Sequence, residues 1–214
     1  MKRVVIVFAC CLAAAAIAVA QGQTGPAGGQ GTGQGAAMGP GQRQGAAPPA
    51  NLIEEVQRQY TSVSTNAVNA ADRFPEDKYK WQPTPMPEVR TWAQLVAHMT
   101  DDANGNCWML AGLSAAPPRV ESGPTATPPP NEKSKADLVA GFRTAVDVCK
   151  KAFTTLTPAN MLEPSGGRGG SSKIGQLITI TTHANEHYGN MVLYYRMAGM
   201  VPPSTADRGR GRGL

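Results

Sequence analysis

Three histidines are the residues of this chain that are best suited to chemistry. The sequence contains no others, and two of them, His183 and His187, are four residues apart. Four residues is close to one turn of an α-helix, so both imidazoles share a face with Cβ atoms about 5–6 Å apart. His98 lies far upstream, in another segment predicted to be helical. Three imidazoles from two helices would bind a divalent ion and leave a fourth position open, which is more typical of a catalytic site than of a structural one.

The same residues allow other interpretations. Two histidines at this spacing can simply be hydrogen-bonded side chains at a helix interface. Residues 183–187 also fit the inverted zinc-peptidase motif H-x-x-E-H, in which Glu186 would be the general base, although the domain is small for such a peptidase. Asp102 follows His98 by four residues, so it could orient His98 or act as general base toward an activated water. Asp102 and Glu186 are therefore candidate catalytic residues, with a solvated surface carboxylate as the alternative for Asp102.

Residues 1–20 have the features of a secretion signal. Basic Lys2 and Arg3 precede an apolar run over residues 4–17, and small residues at 18–20 form a cleavage site. The run is too short to span a membrane, and no later stretch reaches the required length. We therefore expect residues 1–20 to be removed and the mature protein to be periplasmic or secreted, without a membrane span.

The basic character of the chain comes from its ends. The formal net charge is +5, yet residues 51–206 hold 14 basic and 14 acidic residues. A folded region with balanced charge lacks the basic surface that nucleic-acid binding requires, so we expect no nucleic-acid partner. Residues 21–50, rich in Gly, Gln and Pro, are predicted to be a disordered linker, and residues 204–214, with alternating Arg and Gly, a disordered tail.

Residues 51–203 have the length of one domain and contain four helical stretches. The stretches run from 51 to about 73, from 91 to about 113, from 134 to 156 and from about 172 to 198. Capping residues open the first three, and Gly199 fits the left-handed position that ends the fourth. Because no stretch alternates with a period of two residues, the sequence predicts an all-α four-helix bundle.

The order of the helices can be predicted from a loop and two cysteines. Residues 114–133 form a connection far longer than the roughly 2–8 residues that antiparallel neighbours need. Cys107 and Cys149 both lie roughly 23 Å from the starts of their helices, so parallel packing puts them level. Antiparallel packing would separate them by about 12 Å, too far for a bridge. We therefore predict up-down-down-up order with a Cys107–Cys149 disulfide, two buried free thiols being the alternative.

Two segments of the sequence resemble a known family. One comprises EDKYKWQP at 76–83 and PEVRTW at 87–92, followed by residues 95–98; the other comprises HANEHYGN at 183–190, YYR at 194–196 and GMVPP at 199–203. Together they resemble the DinB-like (DinB/YfiT) superfamily, whose members are regarded as metal-dependent enzymes, in an exported branch. The resemblance covers roughly residues 51–203.

The resemblance implies the same up-down-down-up bundle that the loop and the cysteines predict. It also implies that His98, His183 and His187 match the three metal ligands of the family, for which zinc or nickel is the usual occupant. Members of the family include thiol-dependent transferases, isomerases and hydrolases. Low-molecular-weight thiols are found in the cytosol, whereas this protein is expected to be exported. Thiol transfer is therefore the less favoured activity here.

These observations predict a divalent-metal-dependent enzyme of hydrolase type. His98, His183 and His187 would hold zinc or nickel, which would activate water for attack on a small molecule bound between the second and fourth helices. The alternative is a non-catalytic exported module that binds a metal or a small ligand. The sequence names no substrate, and it leaves a homodimer open.

Overall fold

The computed structural model describes residues 47–121, 130–167 and 170–210. The predicted signal peptide and most of the predicted linker lie outside this range. The described residues form five α-helices: α1 Leu52–Arg73, α2 Trp92–Cys107, α3 Lys135–Thr154, α4 Lys173–Met197 and α5 Pro203–Arg210. They contain no strand, which confirms the all-α class. None of the helices in these ranges combines the length and the apolar character needed to cross a bilayer.

Capping residues fix the starts of the four long helices. The side chains that accept a hydrogen bond from a backbone N–H of the first turn belong to Asn51, Thr91, Ser134 and Ser172. The cap of α2 is reciprocal, because the side chain of Gln94 accepts a hydrogen bond from the backbone N–H of Thr91 at 2.8 Å. Each such cap stabilises its helix by about 1 kcal/mol. The predicted helix starts therefore agree with the structure.

The end of α2 differs from the prediction. The helix ends at Cys107, whereas the sequence predicts about 113. Beyond it the chain turns, and Gly112 adopts the left-handed conformation with φ of 71°. The N–H of Leu113 then donates to the carbonyl of Trp108 at 3.0 Å, as in a glycine-terminated helix end. The turn before Gly112 thus ends the regular helix earlier than the apolar pattern suggests.

Helices α2 and α3 run parallel. Thr91, the cap of α2, contacts the 3₁₀ turn Pro130–Glu132 that precedes α3. Further along, Cys107 and Cys149 form a disulfide with Cα atoms 4.9 Å apart. Near the two C-terminal ends, the hydroxyl of Thr155 donates to the carbonyl of Leu110 at 2.9 Å. The predicted parallel packing and disulfide are both confirmed.

Helices α1 and α4 run in the opposite direction to that pair. The hydroxyl of Tyr195 donates to the carbonyl of Ala70 at 2.8 Å, which brings the C-terminal ends of α4 and α1 together. The hydroxyl of Tyr194 donates to the carbonyl of Arg90 at 2.6 Å, which brings the end of α4 to the start of α2. Helices α2 and α4 are therefore antiparallel neighbours, and the order is up-down-down-up as predicted.

A group of aromatic side chains fixes this junction. The rings of Phe74 and Trp92, both fully buried, stack with centroids 3.8 Å apart. Tyr195 packs edge-on against Phe74 at 5.2 Å, and Trp81 meets Tyr194 at 6.0 Å. Burial of each large apolar side chain stabilises the fold by about 1.5–3 kcal/mol. The two helices that carry the histidines are thus held rigidly together at one end of their contact.

The C-terminal segment corrects one expectation. The sequence predicts disorder from residue 204, whereas Pro203–Arg210 form helix α5. A proline suits the first turn of a helix, where its missing N–H would have no partner. Asp207 forms an ion pair with Arg73 at 3.0 Å, and Ser204 forms a hydrogen bond with the hydroxyl of Tyr188. These contacts with α1 and α4 are tertiary, so the local composition of the tail does not display them.

Candidate metal centre

Helices α2 and α4 bring the three histidines together. His98 lies in the second turn of α2, and His183 and His187 lie on consecutive turns in the middle of α4. The spacing of these helices is fixed by the aromatic junction at one end of the contact. At the other end, the side-chain amide of Gln176 donates to the carbonyl of Asn106 at 2.6 Å. The histidines therefore project into a fixed space between two antiparallel helices.

The three imidazoles converge as the sequence predicts. The Nε2 atom of His187 lies 3.0 Å from Nε2 of His98 and 2.7 Å from Nε2 of His183. The carboxylate of Asp102 completes the group, with Oδ2 2.9 Å from Nε2 of His98 and 3.2 Å from Nδ1 of His183. One ligand atom of each of these four residues lies within 4.8 Å of all the others. We call this group the His/Asp cluster.

Hydrogen bonding alone cannot account for these contacts. An imidazole Nε2 offers either one N–H or one lone pair, so Nε2 of His187 can make only one of its two short contacts as a hydrogen bond. The Oδ2 atom of Asp102 is buried and has no partner at hydrogen-bonding geometry. A zinc-like ion binds nitrogen and carboxylate oxygen at about 2.0–2.2 Å, which in a tetrahedral set places neighbouring ligand atoms about 3.3–3.6 Å apart. The contacts here are slightly shorter, at 2.7–3.2 Å. The donor types therefore fit a divalent cation, and the cluster would open slightly to hold it.

The electrostatics set different protonation states within the cluster. Interaction with the Asp102 carboxylate raises the pKa of His98; burial opposes this and Glu121 adds to it. Burial, followed by the charges of His98 and His183, lowers the pKa of His187 to about 4. Burial would raise the pKa of Asp102, but its interactions with His98 outweigh that and hold this pKa below its usual value. At neutral pH, His187 is therefore neutral and Asp102 ionised, the states that metal binding requires.

Glu121 is a member of the site that the sequence interpretation missed. It follows α2 in the connection to α3, and its Oε2 accepts a hydrogen bond from Nδ1 of His98 at 2.7 Å. Its Oε1 accepts a hydrogen bond from Nε of Arg90 at 2.6 Å. A guanidinium N–H of Arg90 also lies 3.2 Å from Nδ1, but the carboxylate is the nearer group and the one that can accept the ring proton. No sequence signal marks Glu121, because it lies in a loop without periodicity.

The two adjacent aspartates of α2 have separate surroundings. Asp102 belongs to the cluster, whereas Asp101 turns toward the loop and accepts hydrogen bonds from the N–H groups of Val120 at 2.6 Å and Glu121 at 2.9 Å. The Asp101 side chain is only 5% exposed. Asp102 is therefore a partly buried member of the cluster and not the solvated surface carboxylate that the sequence allows for it.

Glu186 lies apart from the His/Asp cluster. It is on the exposed side of α4 and is not among the four residues whose ligand atoms converge. Since it precedes His187 by one residue, it points about 100° away around the helix. Its charge acts on His187 only as a minor influence that opposes the lowered pKa. The general-base role of Glu186 stays a prediction, and the geometry favours Asp102.

Three cavities adjoin the cluster, one of which, about 290 Å³, is lined by Asp102 together with residues of α2 and of the loop that follows it. The inner one, about 10 Å³, lies between the cluster and the bundle core and is lined in part by Tyr60, Met99 and Phe142. It has room for about one water molecule. The outer one, about 360 Å³, opens between the start of α2 and the C-terminal half of α4, and His187 forms part of its wall. Its other lining residues are Pro83, Thr84, Glu88, Val89, Arg90, Leu95, Asn190, Leu193, Tyr194 and Met197.

Comparison with known proteins agrees with the architecture. A family model described as the DinB superfamily matches residues 33–191. Six chains of solved structures match, among them a DinB-like protein from Bacillus cereus with 20% sequence identity and a TM-score of 0.54. That match covers 71% of this chain and 95% of the Bacillus cereus chain. At this identity the likeness shows the fold alone. No curated protein matches the chain.

Proposed function

The chain belongs to the DinB superfamily, and on that basis we propose that it is a divalent-metal-dependent enzyme of hydrolase type. His98, His183 and His187 would hold zinc or nickel through their ring nitrogens. The observation that carries the proposal is the convergence of the three rings: Nε2 of His187 lies 2.7–3.0 Å from Nε2 of His183 and of His98, beside a buried carboxylate oxygen that has no hydrogen-bond partner. Imidazole nitrogen and carboxylate oxygen are ligands that first-row divalent ions accept.

The residues around the cluster have distinct roles in this proposal. A bound divalent ion would supply Lewis acidity for the activation of water. Of the two candidate general bases, Glu186 is weaker than Asp102 because it is exposed. Glu121 and Asp102 are the carboxylates nearest to His98, one beside each ring nitrogen.

The outer cavity is the proposed substrate site. Its volume of about 360 Å³ lies in the range of roughly 300–1,000 Å³ that is usual for small-molecule sites. Val89, Leu193 and Met197 give it apolar walls, and His187 connects it to the cluster. A small and largely apolar molecule, with its reactive polar group next to His187, would fit this surface.

Export is part of the proposal. Residues 1–20 have the pattern of a secretion signal. The Cys107–Cys149 disulfide suits an oxidising compartment such as the periplasm or the outside of the cell. Thiols of the cytosol would be absent there, which favours hydrolysis over thiol transfer.

A second function, from another class, is favoured by the position of Asp102. One of its carboxylate oxygens lies within 4.8 Å of a ring nitrogen of each histidine, so four protein ligands could complete a tetrahedral set. Such closed sets are typical of structural sites, whereas catalytic sites keep one position open. With Asp102 as the fourth ligand, the chain would be a non-catalytic metal-binding module.

Metal analysis and one substitution test both functions. Protein purified without a His-tag should bind one zinc or nickel ion per chain, and failure to bind either would contradict the proposal. If Asp102 is the general base, Asp102→Asn should keep the metal affinity and lose hydrolysis of an ester and amide panel. If Asp102 is a ligand, the same change should weaken metal binding about tenfold or more. Asp147→Asn, at an exposed carboxylate of α3 paired with Lys150, is the matched control.

A further inference from the structure

In the described part of the connection between α2 and α3, the side chain of Glu121 reaches the His/Asp cluster. We propose that Glu121 is a positioning residue for His98, and that Asp101 anchors Glu121, so that this loop is a working part of the metal centre. The inference rests on the proposed function, because it concerns a ligand of the proposed metal. Three sets of contacts carry it.

The first contact sets the orientation of the His98 ring. Nδ1 of His98 lies 2.7 Å from Oε2 of Glu121, and both side chains are 16% exposed. Donation of the Nδ1 proton to Glu121 leaves the lone pair of Nε2 directed at the cluster. If the ring rotated by 180°, a carbon would replace each nitrogen, and the hydrogen bond would be lost. The carboxylate therefore selects both the tautomer and the ring orientation that a metal ligand needs.

The second contact holds the carboxylate of Glu121 itself. Its other oxygen, Oε1, accepts a hydrogen bond from Nε of Arg90 at 2.6 Å. Hydrogen bonds between ionised partners are shorter and stronger than neutral ones. Arg90 directly precedes the cap of α2, and its carbonyl accepts the hydroxyl proton of Tyr194. Glu121 is thus fixed relative to the ends of both helices that carry the histidines.

The third contact fixes the backbone of the loop. The two carboxylate oxygens of Asp101 accept hydrogen bonds from the successive N–H groups of Val120 and Glu121 at 2.6 and 2.9 Å. Arg119 lies 3.6 Å from the same carboxylate. Because Asp101 is almost fully buried, undocking of the loop would leave an ionised group without its partners, which is unfavourable. Helix α2 therefore presents the ligand His98 and the loop anchor Asp101 three residues apart.

These contacts couple the loop to metal binding. If docking of Glu121 favours the ligand geometry of His98, bound metal must favour the docked loop by the same factor, because coupling free energies are reciprocal. Loss of a residue that orients a metal-bound histidine usually lowers metal affinity about 10–100-fold. That range sets the expected size of the effect.

Zinc affinity tests the positioning role. It is measured by competition with a chromogenic chelator for the wild type, Glu121→Ala, Glu121→Gln and Asp101→Asn. We expect Glu121→Ala to bind zinc about 10–100-fold more weakly, with a smaller loss for Glu121→Gln, which keeps an acceptor. The matched control is Glu163→Gln, which removes a carboxylate from an exposed pair with Lys173 and should change zinc affinity less than twofold.

Two further readouts separate positioning from general stability. In zinc-loaded protein labelled at histidine nitrogen, the Nδ1–H signal of His98 should be protected in the wild type and the control but lost in Glu121→Ala. Trypsin should cleave after the exposed Arg119 more slowly with zinc than with chelator, and Asp101→Asn should reduce this difference. Thermal midpoints of the metal-free variants show whether each one is folded.

The outcomes distinguish this inference from the proposed function. If the wild type binds no zinc or nickel, the proposed function fails and the positioning role fails with it. If the wild type binds zinc, and Glu121→Ala binds it equally well with an intact Nδ1–H signal, the positioning role alone is wrong. An unchanged zinc effect on trypsin cleavage in Asp101→Asn would overturn the anchoring role of Asp101.

Discussion

At the scale of single residues, the cluster contains more short contacts than hydrogen bonds can satisfy. Nε2 of His187 lies within 3.0 Å of two other ring nitrogens, and Oδ2 of Asp102 is buried without a partner. A divalent ion would turn these mutually unsatisfied lone pairs into ligands. The contribution of each ligand can be measured by removing it.

We predict that His98→Ala abolishes tight metal binding and leaves the fold intact. Loss of one of three imidazole ligands should weaken zinc binding by at least about 100-fold, or about 2.7 kcal/mol. Competition with a chelator measures the affinity, and circular dichroism in EDTA checks the fold. Thr182→Ala, an exposed change next to His183 on α4, is the control. A folded His98→Ala protein with wild-type affinity would show that His98 is not a ligand.

Metal binding should weaken as the pH falls, and the shifted pKa values of His98 and His187 should determine how many protons the ion displaces. Protons compete with the ion for ring lone pairs, so affinity falls as the pH falls. The raised pKa of His98 brings its competition to higher pH, whereas His187, with a pKa of about 4, stays neutral throughout the range from about pH 7 to 5. We therefore expect zinc binding to displace at most two protons in this range, measured by titration at several pH values. Displacement of three protons would contradict the assignment for His187.

The sequence predicts part of this site for a clear physical reason. The helical period places residues four apart on one face, which relates His183 to His187 and His98 to Asp102. Glu186 lies on the same helix but one residue before His187, so the same period directs it about 100° away from the cluster. Glu121 could not be predicted, because only the folded path of a proline-rich loop brings it to His98.

At the scale of elements, capping and cysteine positions fix where the helices start and how they align. The caps of all four long helices form hydrogen bonds in the structure, and equal distances along α2 and α3 bring Cys107 to Cys149. The end of α2 and the presence of α5 were less predictable. Helix α2 ends early at a turn, and α5 forms through contacts with α1 and α4. Local patterns encode starts well because caps are local. The early end of α2 follows from the local turn at Gly112, whereas α5 depends on long-range contacts.

Removal of the disulfide should lower stability more than metal affinity. The bond joins residues 42 positions apart, so the chain-entropy model gives a stabilisation of about 4 kcal/mol. Replacing both Cys107 and Cys149 by Ser should therefore lower the free energy of unfolding in urea by about 2–4 kcal/mol. The bond links α2 to α3, whereas the histidines lie on α2 and α4, so the folded variant should still bind one zinc ion. An unfolding free energy within about 0.5 kcal/mol of the wild type would contradict this prediction.

At the scale of the whole molecule, bound metal would join the two parallel helix pairs of the bundle, which run in opposite directions. Helix α2 belongs to the pair with α3 and helix α4 to the pair with α1, and the His/Asp cluster spans the contact between them. A ligand that binds only the folded state stabilises it by about 2.7 kcal/mol at 100 times its dissociation constant. The fold itself was predictable because the loop length, the cysteine positions and the family resemblance agree on one helix order.

Zinc should therefore raise the thermal midpoint of the metal-free protein in a saturable manner. For a domain of this size, that stabilisation corresponds to a shift of roughly 5–11 °C. Scanning fluorimetry over a zinc series measures the shift, and His98→Ala, examined in parallel, should show little of it. Equal shifts in the two proteins would place the stabilising ion elsewhere.

The most direct test is the position of the ion itself. An anomalous-difference map, recorded at the zinc absorption edge from crystals of the zinc-loaded protein, locates it without assumptions about activity. The account predicts one strong peak between α2 and α4, about 2.0–2.1 Å from a ring nitrogen of each of His98, His183 and His187. A map without a peak at these three rings, or with its strongest peak at another part of the chain, would contradict it.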